Sequence, residues 1–282
     1  MKALIKPLLV IVGMIIIVII VFNVNIWAGF GLIAAIIIFA AYTSRASLYA
    51  LRGSREFAKG ETRQALEWYK KAYNSKPCPD KHRIGYGYLL MRTGDAKQAE
   101  QVFGPLLKAS KSRDTLVQTQ CNLATAYWLQ GKQDEAVALL TDVLKEYKNT
   151  LVYGNLGYFK ILHGNQEEAL TFNLEAYAYN ADDLTILDNV ALNYYELGQW
   201  TLAEEMYQKL MLKSPKFAEP YYYYAQILKQ LGKTGEAIEQ INLAATKTLS
   251  FVTPLTKEQI EQEALRLRAL DADASSVEAN NS

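Results

Sequence analysis

The chain has 282 residues, with 30 Lys and Arg against 29 Asp and Glu, and half of its residues are apolar. This length suggests one or two domains, and the near-neutral charge argues against a nucleic-acid-binding protein that works through a basic surface. Two cysteines and two histidines are too few for a disulfide framework or a four-thiolate zinc site. They also show no ligand pairing at short spacing, so we expect neither a metal nor a cofactor.

The N-terminal segment contains no charged residue between Lys6 and Arg45. A single helix over this segment would be about 58 Å long, nearly twice the ~30 Å hydrocarbon core of a bilayer. Asparagine tolerates turn conformations, and its amide can reach the headgroup water. We therefore predict a two-pass transmembrane hairpin, with helices over about 4–22 and 26–42 and a turn at Asn23–Asn25.

Basic residues flank this hairpin at both ends. Lys2 and Lys6 precede it, and four basic residues follow it closely: Arg45, Arg52, Arg55 and Lys59. The positive-inside rule then places both ends in the cytoplasm. The alternative is a signal peptide, whose cleavage site would fall near Ile26-Trp27-Ala28. The large residues there fit the small-x-small pattern of such sites badly.

After the hairpin the sequence repeats itself. Six glycines follow one another at spacings of 34, 37, 33, 34 and 34, namely Gly60, Gly94, Gly131, Gly164, Gly198 and Gly232. An alanine lies five residues after each glycine, and another Gly or Ala lies seven residues before it. The pattern predicts pairs of short antiparallel helices, in which the central glycine closes the first helix in a left-handed conformation. Because one such pair cannot bury its apolar face alone, we expect the pairs to stack into a solenoid.

The fifth unit carries the clearest form of the pattern, namely Leu187, Val190, Ala191, Tyr194, Gly198, Trp200, Ala203, Tyr207, Leu210 and Pro215. These residues resemble the tetratricopeptide repeat almost position by position. The resemblance covers about 46–249 in six units, and it implies an all-α solenoid of six helix-turn-helix repeats. This chain has a polar residue at three positions where the family usually has an apolar one, namely Glu56 in unit one and Lys160 and Asn173 in unit four.

Both ends of the solenoid can be predicted. No Gly or Pro lies between Leu32 and Arg52, so the second membrane helix should continue into the first repeat helix. Four apolar residues should cover the last repeat as a C-terminal capping helix: Leu255, Ile260, Leu265 and Leu267. We thus divide the chain into a hairpin (1–45), a solenoid with its cap (46–270) and a small, polar, acidic tail (271–282) that we expect to be disordered.

Motifs for catalysis are missing from the sequence. Gly232-Lys233-Thr234 looks like the end of a phosphate-binding loop, but Ile227 stands where that motif needs its first glycine. No nucleophile elbow accompanies His82 and His163, which we expect to be ordinary solvent-accessible side chains. We therefore predict no catalytic residues and no enzyme activity. The two thiols fit a reducing cytoplasm.

The resemblance implies a concave wall, built by the first helix of each unit, that holds a peptide or a partner's helix. Asn122, Asn155 and Asn189 share the sixth position of three consecutive units, which faces the groove in superhelical members of the family. A row of amides can hydrogen-bond an extended backbone, although solvated or inter-helix asparagines are the alternative. Five neighbouring aromatic residues are further candidates for the groove: Tyr88, Trp128, Tyr158, Tyr195 and Tyr222.

A different member of the family grips an acidic C-terminal tail with Lys, Arg and Asn. The equivalent positions here are Lys81, Cys121, Gly154 and Asp188, so we do not expect that kind of partner.

The sequence therefore predicts a multi-pass protein of the cytoplasmic membrane. Its solenoid would face the cytoplasm as a scaffold or adaptor that binds a protein or peptide partner, without nucleic acid. Two alternatives stay open: a structural subunit of a membrane or envelope complex, and an accessory chain of an enzyme encoded elsewhere. The Ile- and Val-rich hairpin could also self-associate into a homo-oligomer.

Overall fold

A computed structural model describes the backbone of residues 2–110 and 112–280, and the side chains of 12–110 and 112–272. Within these ranges the fold is helical, with one isolated bridge between Phe217 and Thr248 and no strand. The predicted all-α class is confirmed. The chain divides into two compact units, residues 1–89 and 90–282.

The helices are α1 (Lys2–Val24), α2 (Ile26–Ala58), α3 (Thr62–Asn74), α4 (Asp80–Arg92), α5 (Ala96–Ala109), α6 (Arg113–Leu129), α7 (Gln133–Glu146), α8 (Thr150–His163), α9 (Gln166–Tyr179), α10 (Leu184–Glu196), α11 (Trp200–Met211), α12 (Glu219–Gln230), α13 (Thr234–Thr246) and α14 (Lys257–Asn280). The first unit contains α1 to α3 and most of α4. The second contains the end of α4 and all later helices.

In the first unit, α1 and α2 are separated by Asn25 alone. Asn25 is extended, and its Oδ1 accepts hydrogen bonds from the amides of Trp27 and Ala28 at 2.9 and 3.2 Å. It therefore caps α2, and the break is shorter than the predicted turn at Asn23–Asn25. Next to it, the Phe22 ring lies so close to Gly29 that a Cβ there would be 2.5 Å from a ring carbon. A glycine is needed where the two apolar helices approach each other.

α2 runs without a break from Ile26 to Ala58, about 50 Å. The predicted continuity of the second apolar helix with the first repeat helix is confirmed. Most large apolar side chains between 12 and 42 are exposed, Ile38 at 69%. Among the residues with described side chains, α2 is the one helix long and apolar enough to cross a bilayer, and Val12–Val24 is a shorter apolar helix.

The C-terminal half of α2 packs against α3 through small residues. Ala46, Ala50 and Gly53 are buried there, and the ring of Tyr69 on α3 lies directly against Gly53. A Cβ at Gly53 would lie 2.5 Å from that ring, so the spacing of small residues read from the sequence matches real points of close approach.

The second unit stacks successive helix pairs. Each helix from α5 to α14 contacts the next one along the chain, and α6, α8, α10 and α12 also contact one another in order. The repeat alanines are fully buried between the paired helices, namely Ala99, Ala136, Ala169, Ala203 and Ala237. Large side chains such as Leu140, Tyr207 and Leu228 fill the space around them. This is the predicted solenoid.

The repeat glycines adopt the predicted left-handed conformation at five of six positions, with φ between 69° and 92°. Gly164 is the exception, with φ −121° and ψ −172°, so the prediction was wrong there. α8 continues to His163, and Asn165 at once caps α9 by accepting from the amides of Glu167 and Glu168. Glycine is still required, because a Cβ on Gly164 would lie 2.7 Å from the carbonyl oxygen of Lys160.

α14 packs on α13 as the predicted cap, but it begins at Lys257, so Leu255 is buried in the loop before the helix and not within it. Ile260 and Leu267 are buried, whereas Leu265 is 66% exposed. Residues 260, 264 and 267 share one face of a helix, and Ala264 takes the inward place expected for Leu265. The backbone of α14 also continues to Asn280, where we expected disorder from Asp271. Ala and Glu favour helix extension there, and Asn281 and Ser282 lie outside the described residues.

Candidate peptide-binding groove

A cavity of about 490 Å³ opens in the second unit between α8, α10 and α12, the first helices of three consecutive repeats. We call it the groove pocket. Its walls include Gly154, Asn155 and Tyr158 from α8, Leu184, Thr185, Asp188, Asn189 and Leu192 from α10, and Glu219, Pro220 and Tyr223 from α12. Lys213 to Phe217, with Ser250 and Val252, close one side of it.

The three equivalent asparagines have different environments. Asn189 is buried, and its Nδ2 donates to the carbonyl oxygen of Gly154 on α8 at 2.8 Å. Asn122 and Asn155 are half-buried, and each Nδ2 donates to the carbonyl four residues earlier in its own helix, at 2.9 and 2.8 Å. Asn155 and Asn189 line the groove pocket, while Asn122 does not. Asn189 thus takes the inter-helix role that the sequence left open.

Of the five predicted aromatic candidates, Tyr158 lines the groove pocket. Trp128 instead stacks face to face on Phe159, with ring centroids 4.3 Å apart, and so joins α6 to α8. Tyr88 lies in the first unit and packs edge-on against Phe57 at 6.2 Å. For Trp128 and Tyr88, much of the ring is therefore engaged within the solenoid.

Tyr195 and Tyr222 do not line the pocket themselves. Each contacts Tyr223, which does, at centroid distances of 5.2 and 5.4 Å. The neighbouring Tyr221 and Tyr224 are buried, as expected from their core-facing positions in α12. Burial raises the pKa of Tyr158 and of Tyr223, so the phenols of the pocket stay neutral near neutral pH.

Two carboxylates line the groove pocket, Asp188 and Glu219. Sequence reasoning counted Asp188 among the groove positions without giving it a role, and it did not identify Glu219. Oδ1 of Asp188 and Oε2 of Glu219 are buried, and neither has a hydrogen-bond partner among the described atoms. Oε1 of Glu219 accepts from the Ser250 amide at 2.7 Å. Burial raises the pKa of Asp188 to about 7, and the nearby charge of Glu219 adds to the rise. Burial likewise raises the pKa of Glu219, against hydrogen bonds from the backbone of Glu219 and Ser250 and from the side chain of Thr253.

Behind the pocket, a buried polar network joins α8, α9 and α10. Nδ2 of Asn173 donates to Oδ1 of Asn193 at 3.1 Å, and Nδ2 of Asn193 donates to the carbonyl and the side chain of Gln166 at 3.0 Å each. Asn173 was noted in the sequence as a departure from the usual apolar position. The hydrogen bond from its Nδ2 links α9 to α10, but its Oδ1 is buried without a hydrogen-bond partner among the described atoms, so the burial is only partly compensated.

The cysteines and histidines lie away from the groove pocket. Burial raises the pKa of Cys121 to about 12 and also raises that of Cys78, so neither thiol is activated. His163 is half-exposed beside Asp134, but His82 is buried next to the hydroxyl of Ser47, so the predicted exposure of His82 was wrong. No group of three potential metal ligands occurs in the part of the chain that the structure describes.

Comparisons with known proteins agree with this fold. Residues 116–153 and 191–249 match two family models, both described as tetratricopeptide repeat. The chain is 23% identical over 233 residues to the TPR repeat-containing protein YpiA of Bacillus subtilis. The match covers 78% of this chain and 54% of YpiA, so the chain spans about half the length of this curated relative.

Two solved structures are similar in fold. TTC0263, a thermophilic TPR protein of Thermus thermophilus, has a TM-score of 0.56 at 18% identity, covering 65% of this chain and 98% of that one. The APC/C hetero-tetramer Cut9-Hcn1 has a TM-score of 0.61 at 14% identity, covering 79% of this chain and 43% of that one. Together with the helix pairs and the buried repeat alanines, the two model matches lead to one conclusion: the second unit of the chain contains tetratricopeptide repeats.

Proposed function

We propose that this protein is a membrane-anchored scaffold that binds a segment of a protein partner in the concave groove of its second unit. The observation that carries the proposal is the groove pocket between α8, α10 and α12. Three consecutive first helices contribute to one cavity, and tetratricopeptide repeats mediate protein interactions in general. The pocket combines apolar walls with a few polar groups, which is the usual composition of a binding site. The role proposed is binding and not catalysis.

We further propose that α1 and the first half of α2 form the membrane anchor, as a two-pass hairpin. The support is the exposure of most of the large apolar side chains from 12 to 42, since such a surface needs a bilayer or a partner to cover it. The basic residues on both sides of the hairpin favour a cytoplasmic solenoid. Tethering would raise the effective concentration of bound partners at the membrane surface.

Photo-crosslinking in living cells tests the groove. A photoreactive amino acid replaces Asn155, which lines the pocket, and in a matched variant it replaces Glu205, which is exposed on α11 away from the pocket. We expect a light-dependent adduct with a distinct protein at position 155 and none at position 205.

Adducts that form at position 205 and not at position 155 would contradict the proposal that the partner binds in the groove. They would favour the alternative of a structural subunit that assembles through the outer surface of the solenoid. Recovery of an enzyme at position 155 would identify the chain as an accessory subunit that uses the same groove.

A further inference from the structure

We propose that the groove pocket receives one basic side chain, Lys or Arg, of the partner segment, and that Asp188 and Glu219 bind its cation. This inference rests on the proposed function and adds the chemistry of the partner. The two carboxylates come from successive first helices, α10 and α12, and line the same cavity.

The first argument is the state of the two carboxyl groups. Glu219 is 7% exposed, and its Oε2 has no hydrogen-bond partner among the described atoms. Oδ1 of Asp188 is buried and also accepts no hydrogen bond of good geometry, although the Tyr207 hydroxyl lies beside this carboxyl group. A buried polar atom without a hydrogen bond costs free energy, and a buried charge costs more, so such groups usually have a partner. A cationic donor entering the cavity would supply one to both.

The second argument is that the protein's own cations do not fill this place. Neither Asp188 nor Glu219 forms an ion pair with a described side chain. Lys213, which lies at the cavity, donates instead to the carboxylate and the carbonyl oxygen of Asp182, at 2.9 and 3.2 Å. Lys216, also at the cavity, is exposed. The negative charge inside the pocket is therefore available to a ligand.

The third argument is the shape and composition of the walls. Tyr158 and Tyr223 contribute aromatic rings, and Leu184, Pro220 and Val252 contribute apolar surface. Lys and Arg bury an aliphatic stem against such a wall while the charged head reaches a carboxylate or the face of a ring. Lys213 and Lys216 would repel further cations at one side of the cavity. The pocket therefore fits a single basic anchor with neutral or acidic neighbours.

This recognition depends on pH, because only ionised carboxylates attract a cation. The groups that face Asp188 are Tyr207 from α11, Tyr158 from α8, and Glu219 and Tyr223 from α12, with Lys213 beyond. The phenols are neutral, so Asp188 and Glu219 are the groups that change charge here. Because their charges interact, the two carboxyl groups titrate as a coupled pair. Binding of the basic segment should strengthen several-fold as pH rises from 6 to 8, and it should release protons near pH 7.

The test is a selection from a random heptapeptide library on the full-length protein in detergent micelles. We expect the selected peptides to share one Lys or Arg. In a recovered peptide, replacement of that residue by the uncharged norleucine should weaken binding at least tenfold. The double variant Asp188→Asn with Glu219→Gln should lose a similar factor. The control variant Glu205→Gln with Glu239→Gln, which removes two exposed carboxylates elsewhere, should bind as the wild type does. Lys-to-Arg exchange in the peptide shows which head group is preferred.

The outcomes separate the two proposals. Selected peptides without a shared basic residue, or equal affinity of the norleucine peptide, would overturn the basic anchor and leave peptide binding in place. A library from which no sequence is enriched would overturn both. The norleucine comparison uses the unmodified protein, so it decides the question even where the double variant folds poorly.

Discussion

At Gly157, α8 approaches the amide side chains of Asn173 and Asn189 so closely that no side chain fits between them. A Cβ at this position would lie 2.9 Å from Nδ2 of Asn189 and closer still to Oδ1 of Asn173. These two amides hold α8 to its neighbours, so they cannot move aside without losing hydrogen bonds. The residue is small because a polar network occupies the space, and the repeat pattern alone does not show this.

Replacement of Gly157 by alanine should lower the free energy of unfolding by about 1–3 kcal/mol, because the network must shift to admit the methyl group. Gly235 is the matched control. It lies in the first turn of α13, and no atom beyond its chain neighbours is within 4 Å of the place that a Cβ would take, so Gly235→Ala should stabilise by up to about 1 kcal/mol through helix propensity. Denaturant unfolding followed by circular dichroism measures both. Equal effects would show that the amides near Gly157 rearrange freely.

Asp188 should make the stability of the protein depend on pH. Its folded-state pKa of about 7 lies above the ordinary value near 4, so the folded state holds a proton that the unfolded state has released. The contribution of Asp188 to the free energy of unfolding is therefore present at low pH and is lost as pH rises from about 4 to about 7. Asparagine does not ionise, so Asp188→Asn avoids this loss of stability, and at pH 8 the variant without ligand should be more stable than wild type by up to about 3 kcal/mol.

The measurement is thermal unfolding of wild type and variant between pH 4.5 and 8. The gap between the two should widen with pH and become constant above about 7.5. Asp142→Asn, an exposed carboxylate in an ion pair with Lys145, serves as the control and should show no such trend. A constant gap across the whole range would contradict a raised pKa at Asp188.

At the scale of the element, α14 stabilises the solenoid through one face only. Leu267 is fully buried against the last repeat, while Leu265 is 66% exposed, two residues away on the same helix. Leu267→Ala should cost about 2–4 kcal/mol of stability, and Leu265→Ala should change it by less than about 0.5 kcal/mol. Chemical unfolding of the two variants checks the difference. Similar costs would mean that α14 packs with a different rotation about its axis.

The helices and their order could be predicted from sequence because the repeat places small residues wherever two helices cross. Ala203 and Gly53 were located correctly for that physical reason. Gly164 was not, because the turn conformation depends on how far α8 continues, and the cap at Asn165 decides that. Leu265 was misplaced because the start of α14, and hence its inward face, depends on the preceding loop.

The groove pocket was predicted only in part for a similar reason. Asn155, Tyr158 and Asn189 belong to the repeating helices, so the repeat register could bring them to one cavity between α8 and α10. Glu219 lies at the very start of α12, and Ser250 lies in the loop after α13, where no repeat register applies. The burial of a carboxylate depends on how these irregular segments fold back, and periodicity carries no information about that.

For the molecule as a whole, the topology of the anchor can be tested by cysteine labelling. Cys78 and Cys121 are buried, so they should stay unlabelled in the folded protein. A membrane-impermeant maleimide should label Asn23→Cys in intact spheroplasts, because Asn23 is exposed in the last turn of α1 and we propose that the break at Asn25 faces outward. It should label Glu205→Cys only after lysis, because we propose that the solenoid faces the cytoplasm. The reverse pattern would establish the inverted topology, and labelling of Glu205→Cys on a shortened chain would establish a cleaved signal peptide.

The continuity of α2 has a mechanical consequence for the first unit. Its apolar half and its repeat half share one unbroken helix, and at their junction Thr43 Oγ1 lies 3.0 and 3.1 Å from the carbonyl oxygens of Phe39 and Ala40. Such a helix transmits rotation about its axis, which a flexible linker would absorb. Insertion of one residue between Tyr42 and Ala46 would therefore turn the apolar face by about 100° relative to α3. The number of residues in the apolar half of α2 therefore sets the direction in which its apolar face points relative to the first repeat.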